Sequence, residues 1–207
     1  MYLKIQQYFR EAADSFSSIP DERQKLIGEI AAVIGEESRS EKIVRLTFIC
    51  THNSRRSHFG QVWAAVAAHY FSLPNIETFS GGMEATAFNP RAVAALERIG
   101  FRVENPGGEN PHYRLYFAAD ADPLICFSKK YDHPANPQDD FFAIMTCSEA
   151  DENCPFIPGA THRFALTYRD PKEADGTPEE AQRYDERCRQ MAAEMLYLMK
   201  KARPPLD

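Results

Sequence analysis

The sequence predicts an α/β fold, a doubly wound parallel sheet in three layers with a helical extension ahead of it. Apolar runs of strand length alternate with segments whose apolar residues recur at helical spacing, the order that a chain of βαβ units requires. At 207 residues and 43% hydrophobic the chain can bury one full core. No internal repeat or low-complexity tract breaks it up.

Residues 1–42 read as two helices, about 2–16 and 21–35, joined by Ser17-Ser18-Ile19-Pro20. This N-terminal extension is expected to be a packed helical hairpin, with a dimer contact as the alternative, ahead of a domain spanning 43–207. The first strand, 43–50, carries apolar Leu46, Phe48 and Ile49. A helix over 57–72 sets Phe59, Val62, Trp63, Val66, Ala67 and Tyr70 on one face. A short strand from Ile76 to Phe79 precedes a helix from Pro90 to Ile99, with Asn89 as N-cap, Pro90 in the first turn and Gly100 past the end. The segment 105–111 is loop, and strands near 124–127, 141–146 and 162–167 complete the sheet. Between them, Ser128 to Pro134 is irregular, and its Lys129 and Lys130 read as solvated, with attraction of oxyanions at a pocket rim as the alternative. The closing helix, 178 to about 200, aligns Ala181, Tyr184, Cys188, Met191, Ala192, Met195 and Met199 as core filling.

A formal charge of −6 argues against a nucleic-acid partner, because phosphate backbones reward basic faces. No run of about 18 apolar residues predicts a membrane span. The absence of a signal peptide predicts a cytoplasmic protein whose thiols are kept reduced. The five cysteines and six histidines form no Cys-x2-Cys or His-x3-His pair, so neither a metal nor a cofactor is expected.

The chemistry concentrates in Phe48-Ile49-Cys50-Thr51-His52-Asn53-Ser54-Arg55-Arg56-Ser57. A cysteine and an arginine six positions apart lie between a buried strand and an amphipathic helix, so the loop sits at a helix N-terminus. Unpaired N–H groups and the helix dipole favour a tetrahedral anion there, and the Arg56 guanidinium can grip two of its oxygens. Cys50 below such an ion is placed for in-line attack. Thr51, His52, Asn53, Ser54, Arg55, Arg56 and Ser57 are the expected oxyanion-binding residues, and Arg55 with Arg56 supplies local positive charge.

Cys-Thr-x-Asn-Ser-x-Arg-Ser in this setting resembles the catalytic loop of the low-molecular-weight protein tyrosine phosphatases and of the arsenate reductases built on the same fold. The resemblance implies Cys50 as nucleophile, Arg56 as oxyanion clamp, Asn53 as a residue that shapes the loop and Ser57 as hydroxyl donor to the thiolate. Two positions depart from that pattern: His52 stands where the family usually has Gly, and Arg55 where a second Cys is common. His52 either tolerates a left-handed conformation or shows that none is needed.

Phe141-Phe142-Ala143-Ile144-Met145 runs into Thr146-Cys147, and a polar segment separates Cys147 from Cys154-Pro155. Groups at the carboxyl ends of parallel strands share one edge, so Cys147 is expected beside Cys50. The Cys-Ser-x-Ala-Asp-x-Asn-Cys-Pro context resembles the thioredoxin-coupled arsenate reductases, which implies a Cys50/Cys147/Cys154 disulfide relay. Cys126 and Cys188 read as structural. Thr167-Tyr168-Arg169-Asp170-Pro171 has an Asp-Pro pair where phosphatases of this fold take their general acid, which implies that role for Asp170; Asp175 and Asp185 read as solvated. The expected function is arsenate reduction with thioredoxin as electron donor. A phosphotyrosine phosphatase using Cys50, Arg56 and Asp170 is the alternative, and an oxyanion-binding or redox-sensing module is the third reading.

Overall fold

The computed structural model describes residues 1–40 and 42–203. Helices α1 (Leu3–Asp14) and α2 (Asp21–Arg39) lead into β1 (Val44–Cys50), α3 (Arg56–Tyr70), β2 (Ile76–Gly82) and α4 (Pro90–Ile99). Then come β3 (Arg102–Glu104), β4 (Tyr113–Tyr116), β5 (Leu124–Cys126), β6 (Phe141–Met145), α5 (Ser148–Asn153), β7 (Ala160–Ala165) and α6 (Glu180–Ala202).

Four strands form a parallel sheet in the order β2-β1-β6-β7. Both faces of its centre are covered, which is why β1 and β6 read as nearly continuous apolar runs. Along β6, and along β1 as far as Ile49, alternate residues separate two cores. Val44, Leu46, Phe48, Phe142 and Ile144 face the large core built with α1, α2, α3, α4 and α6. Ile49, Cys50, Phe141, Ala143 and Met145 face a smaller one with Cys147, Ala150 of α5 and Ile157. Cys50 therefore ends a strand whose two faces are packed, which fixes the origin of the loop that follows.

The strand expected near 124–127 does not join this sheet. β5 pairs antiparallel with β4, which pairs antiparallel with β3. In β4, Tyr113 and Leu115 are buried while Arg114 is exposed, and Ile125 in β5 is 44% exposed. Such one-sided burial suits an antiparallel sheet with a wet face and not the interior of a parallel one. The helix at 90–99 has the expected ends: Asn89 Oδ1 accepts from Arg91 N–H at 2.9 Å, and Gly100 takes φ +119°. Tyr70, expected on the apolar face of α3, is 45% exposed in its last turn, and Ala181 in the first turn of α6 is exposed.

Helices α1 and α2 pack into the large core. Ile5, Phe9, Ala12, Ile27, Ile30 and Ile34 are buried there with Trp63, on which Tyr8 stacks at 5.4 Å. Arg23 of α2 binds Glu194 of α6 at 2.8 Å and lies over the Tyr168 ring at 4.6 Å. Glu194→Ala would leave the Arg23 guanidinium, whose side chain is 18% exposed, without its partner. Urea unfolding should show a loss of about 1–3 kcal/mol. Among the described residues, no helix is long and apolar enough to cross a membrane.

Candidate active site

The loop between β1 and α3 is held from outside by its carbonyl groups. Cys50 O accepts from Met83 N–H (3.1 Å), Thr51 O from Glu84 N–H (2.9 Å) and Ser54 O from Asn89 N–H (2.9 Å). His52 O accepts from Ser128 Oγ (2.9 Å) and Thr86 Oγ1 (3.3 Å). Among the described residues, no backbone N–H from His52 to Ser57 donates to a protein acceptor. With its acceptors taken and its donors free, the loop has the chemistry an anion cradle requires.

Asn53 sets the shape of this cradle. It is the loop residue with positive φ, +45°, so the left-handed position is not at His52 and that departure from glycine costs the backbone nothing there. Asn53 Oδ1 accepts from Lys129 N–H at 2.9 Å, which orients the amide so that Nδ2 donates to Ser57 Oγ at 2.8 Å. Ser57 Oγ thus has its own hydrogen free for Cys50 Sγ, 3.1 Å away. Lys129, expected to be solvated, is only 4% exposed, because its backbone is tied to Asn53 and its ammonium sits over Phe127. Burial pulls its pKa down to about 8.

Gly82 explains how closely β2 can approach. A Cβ there would come within 2.6 Å of Asn53 N and 2.9 Å of His52 C. Gly82→Ala should therefore displace the loop and lower kcat/KM by at least tenfold, with a smaller change in melting temperature; unchanged kinetics would mean that the loop tolerates the shift.

Arg56, the first residue of α3, is 7% exposed. One Nη1 hydrogen goes to Tyr168 O (3.0 Å), Nη2 lies 2.8 Å from Asp170 Oδ2, and Nε is buried with no partner among the described residues. Asp170 caps a 3-10 turn, Pro171–Ala174, by accepting from Lys172 N–H at 3.1 Å. Arg56, six positions from Cys50, thus meets a carboxylate more than a hundred residues further along the chain. Arg56→Lys should raise the KM for an oxyanion and lower turnover, together about 10²-fold or more, because an ammonium cannot reproduce the planar fork. Wild-type kinetics in that variant would remove Arg56 from the site.

Cys147 lies at the end of β6, one strand from Cys50. Its Sγ is 3.4 Å from Thr51 Oγ1 and accepts from Ala150 N–H at 3.4 Å. Burial raises its pKa, opposed by the Thr51 hydroxyl, the Arg56 charge and the Ala150 N–H. The polar stretch between the two cysteines is a helix, α5, which Cys147 and Cys154 cap at either end. Cys154 is partly exposed, and its carbonyl accepts from Arg163 Nε at 3.1 Å. All five cysteines are free thiols; Cys126 and Cys188 are wholly buried in the large core, where burial raises their pKa values.

Two further expected placements change. The Arg55 side chain turns to Tyr184 Oη (2.8 Å) and Asp175 (3.5 Å), and Asp175 is held in that cluster instead of being solvated. Tyr184, Ser128 and Gly82 escaped sequence reading. The Gly81-Gly82 pair after an apolar strand was the one local signal of a close backbone approach.

No family model matches the chain. An arsenate reductase of Shouchella clausii (strain KSM-K16) is 30% identical over 141 residues, 68% of this chain and 82% of that protein. One of Bacillus subtilis (strain 168) is 29% identical over 142 residues, 69% and 84% respectively. Among solved structures, a low-molecular-weight phosphotyrosine phosphatase of Vibrio cholerae O395 matches with a TM-score of 0.52 at 12% identity, over 76% of this chain and 95% of that one. Another from T. tengcongensis matches with the same TM-score at 15% identity, over 76% and 99%. The four-stranded parallel sheet with its flanking helices is thus the fold of the low-molecular-weight phosphatases. The chain belongs to the arsenate reductase family.

Proposed function

We propose that the protein reduces arsenate to arsenite in the cytoplasm through Cys50, Cys147 and Cys154, with thioredoxin as the reductant. The observation that carries this reading is the approach of a second buried thiol to the loop: Cys147 Sγ lies 3.4 Å from the hydroxyl of Thr51, the residue next to Cys50. A hydrolase needs no such thiol. Its family relatives, named as arsenate reductases, lend the same support.

In the proposed cycle, the loop N–H groups and the free edge of Arg56 hold the oxyanion, and the Ser57 hydroxyl supports the Cys50 thiolate. Cys50 Sγ attacks arsenic, forming an S–As bond, and hydroxide departs as water with the proton of Asp170. Cys147 Sγ then attacks Cys50 Sγ. The S–As bond breaks with its electron pair left on arsenic, so As(V) becomes As(III) and the two sulfurs are oxidised to a disulfide. Cys154 Sγ attacks Cys147 Sγ, frees Cys50 as thiolate and leaves a Cys147–Cys154 disulfide, which the thioredoxin dithiol reduces.

Phosphotyrosine hydrolysis is the second reading, favoured by the 2.8 Å approach of Asp170 to Arg56, which sets a carboxyl beside the guanidinium proposed to hold the phosphate. Arsenate-dependent NADPH consumption with thioredoxin and its reductase, run beside hydrolysis of an aryl phosphate, separates the two. Reduction that stays dependent on thioredoxin supports the first; hydrolysis without it supports the second.

A further inference from the structure

Arg55 occupies the N-cap position of α3, where the helix dipole and adjacent Arg56 both disfavour another cation. The groups that offset this come from the turn bearing Asp170 and from α6. Arg55 Nε donates to Tyr184 Oη at 2.8 Å and lies 3.9 Å from Asp170 Oδ1, and Nη2 lies 3.5 Å from Asp175 Oδ2. Tyr184, fully buried, donates in turn to Asp175 Oδ1 at 2.8 Å. Burial pushes this phenol up to about 12, so it stays protonated and keeps both hydrogen bonds through the neutral range. From the far side, Arg91 of α4 approaches Asp175 Oδ1 (3.8 Å) and binds Glu180 Oε2 (2.7 Å), which also accepts from Gly176 N–H (2.7 Å).

The turn from Asp170 to Gly176 is therefore clamped at its far end through Arg55, itself the last loop residue before the helix. At its near end Asp170 depends on Arg56, the guanidinium that an oxyanion would also engage. We infer that Arg55 is a positioning residue: through Tyr184 and Asp175 it holds the Asp170 turn against the anion loop, so that the carboxyl stays over the pocket when substrate takes Arg56. This rests on the reading of Asp170 as general acid. It also gives a physical reason for an arginine at a loop position whose side chain points away from the anion cradle.

The test is a double-mutant cycle on the full-length protein, with Arg55→Met, Asp170→Asn and their combination, for aryl phosphates of graded leaving-group pKa and for arsenate reduction. Arg55→Met should lower kcat about 10- to 100-fold, part of the roughly 10²- to 10⁴-fold that a general acid supplies, and leave KM within about threefold. The loss should be steepest for poor leaving groups and vanish in the Asp170→Asn background. Arg55→Lys should restore part of it. Tyr184→Phe keeps the ring packing and cuts the same link, so it should show the same coupling with a smaller loss even if Arg55→Met folds poorly. A raised KM with unchanged kcat would make Arg55 an anion ligand, and additive losses would make it merely structural; either overturns the inference. If Asp170→Asn itself slows every leaving group equally, the acid reading fails and the positioning role with it.

Discussion

Cys50→Ser should abolish both arsenate reduction and aryl phosphate hydrolysis while leaving the fold and the anion cradle intact. Sulfur and oxygen at this position would share the same neighbour, Ser57 Oγ, now 3.1 Å from Cys50 Sγ, so the substitution removes the nucleophile and little else. An alcohol holds its proton far more tightly than a thiol, and no imidazole stands within hydrogen-bond reach of Cys50 among the described residues to take that proton. The unpaired donors proposed to hold an anion belong to the backbone and to Arg56, and they remain. A thermal scan should therefore still show stabilisation by phosphate or arsenate, about 2.7 kcal/mol at a ligand concentration a hundredfold above Kd. Retention of either activity above a few per cent would show that Cys50 is not the nucleophile. Loss of anion binding as well would mean that the thiol, and not the loop, forms the cradle.

The parts of this site that lie within one strand, one loop and one helix were legible in the sequence, because periodicity and caps are local. The run Leu46 to Cys50 read as a buried strand, and Phe59 to Ala67 as the helix after it. Asn89, Pro90 and Gly100 marked a helix to the residue. β3, β4 and β5 were not legible as a sheet: each has three or four residues, and their pairing depends on loops without pattern. Helix α5 was hidden for a similar reason, since five polar residues and a single alanine show no apolar stripe and its formation depends on packing Ala150 against Cys147 and the sheet. The cluster of Arg55, Tyr184 and Asp175 left no local trace at all. Its members are separated by up to 129 positions; Asp175 and Tyr184 taken alone read as ordinary surface and core residues, and Arg55 read as an oxyanion ligand.

Cys147→Ser and Cys154→Ser should each keep aryl phosphate hydrolysis and lose multiple-turnover arsenate reduction, because hydrolysis needs only Cys50, Arg56 and an acid, whereas reduction must move two electrons from sulfur to arsenic. The two variants should stop at different points. Without the Cys147 thiol nothing attacks the S–As bond, so the Cys50 adduct accumulates and no arsenite is released. Without Cys154 one arsenite per enzyme escapes, and a Cys50–Cys147 disulfide remains. Mass spectrometry after arsenate treatment distinguishes the two. The geometry adds a further requirement on the last step in wild type. Cys147 and Cys154 cap opposite ends of α5. Seven residues of helical rise put their Cα atoms about 10 Å apart, whereas a disulfide needs them within about 7 Å. Helix α5 must therefore unwind for the Cys147–Cys154 bond to close, and six residues joined to the core mainly through Ala150 present a small barrier to that. Oxidised wild type should accordingly exchange its α5 amide hydrogens faster than the reduced protein, while the amides of β1 and β6 stay protected. Many thioredoxin-coupled turnovers in either variant would end the relay. So would an oxidised wild type in which mass spectrometry finds no Cys147–Cys154 bond, and the phosphatase reading would then take its place.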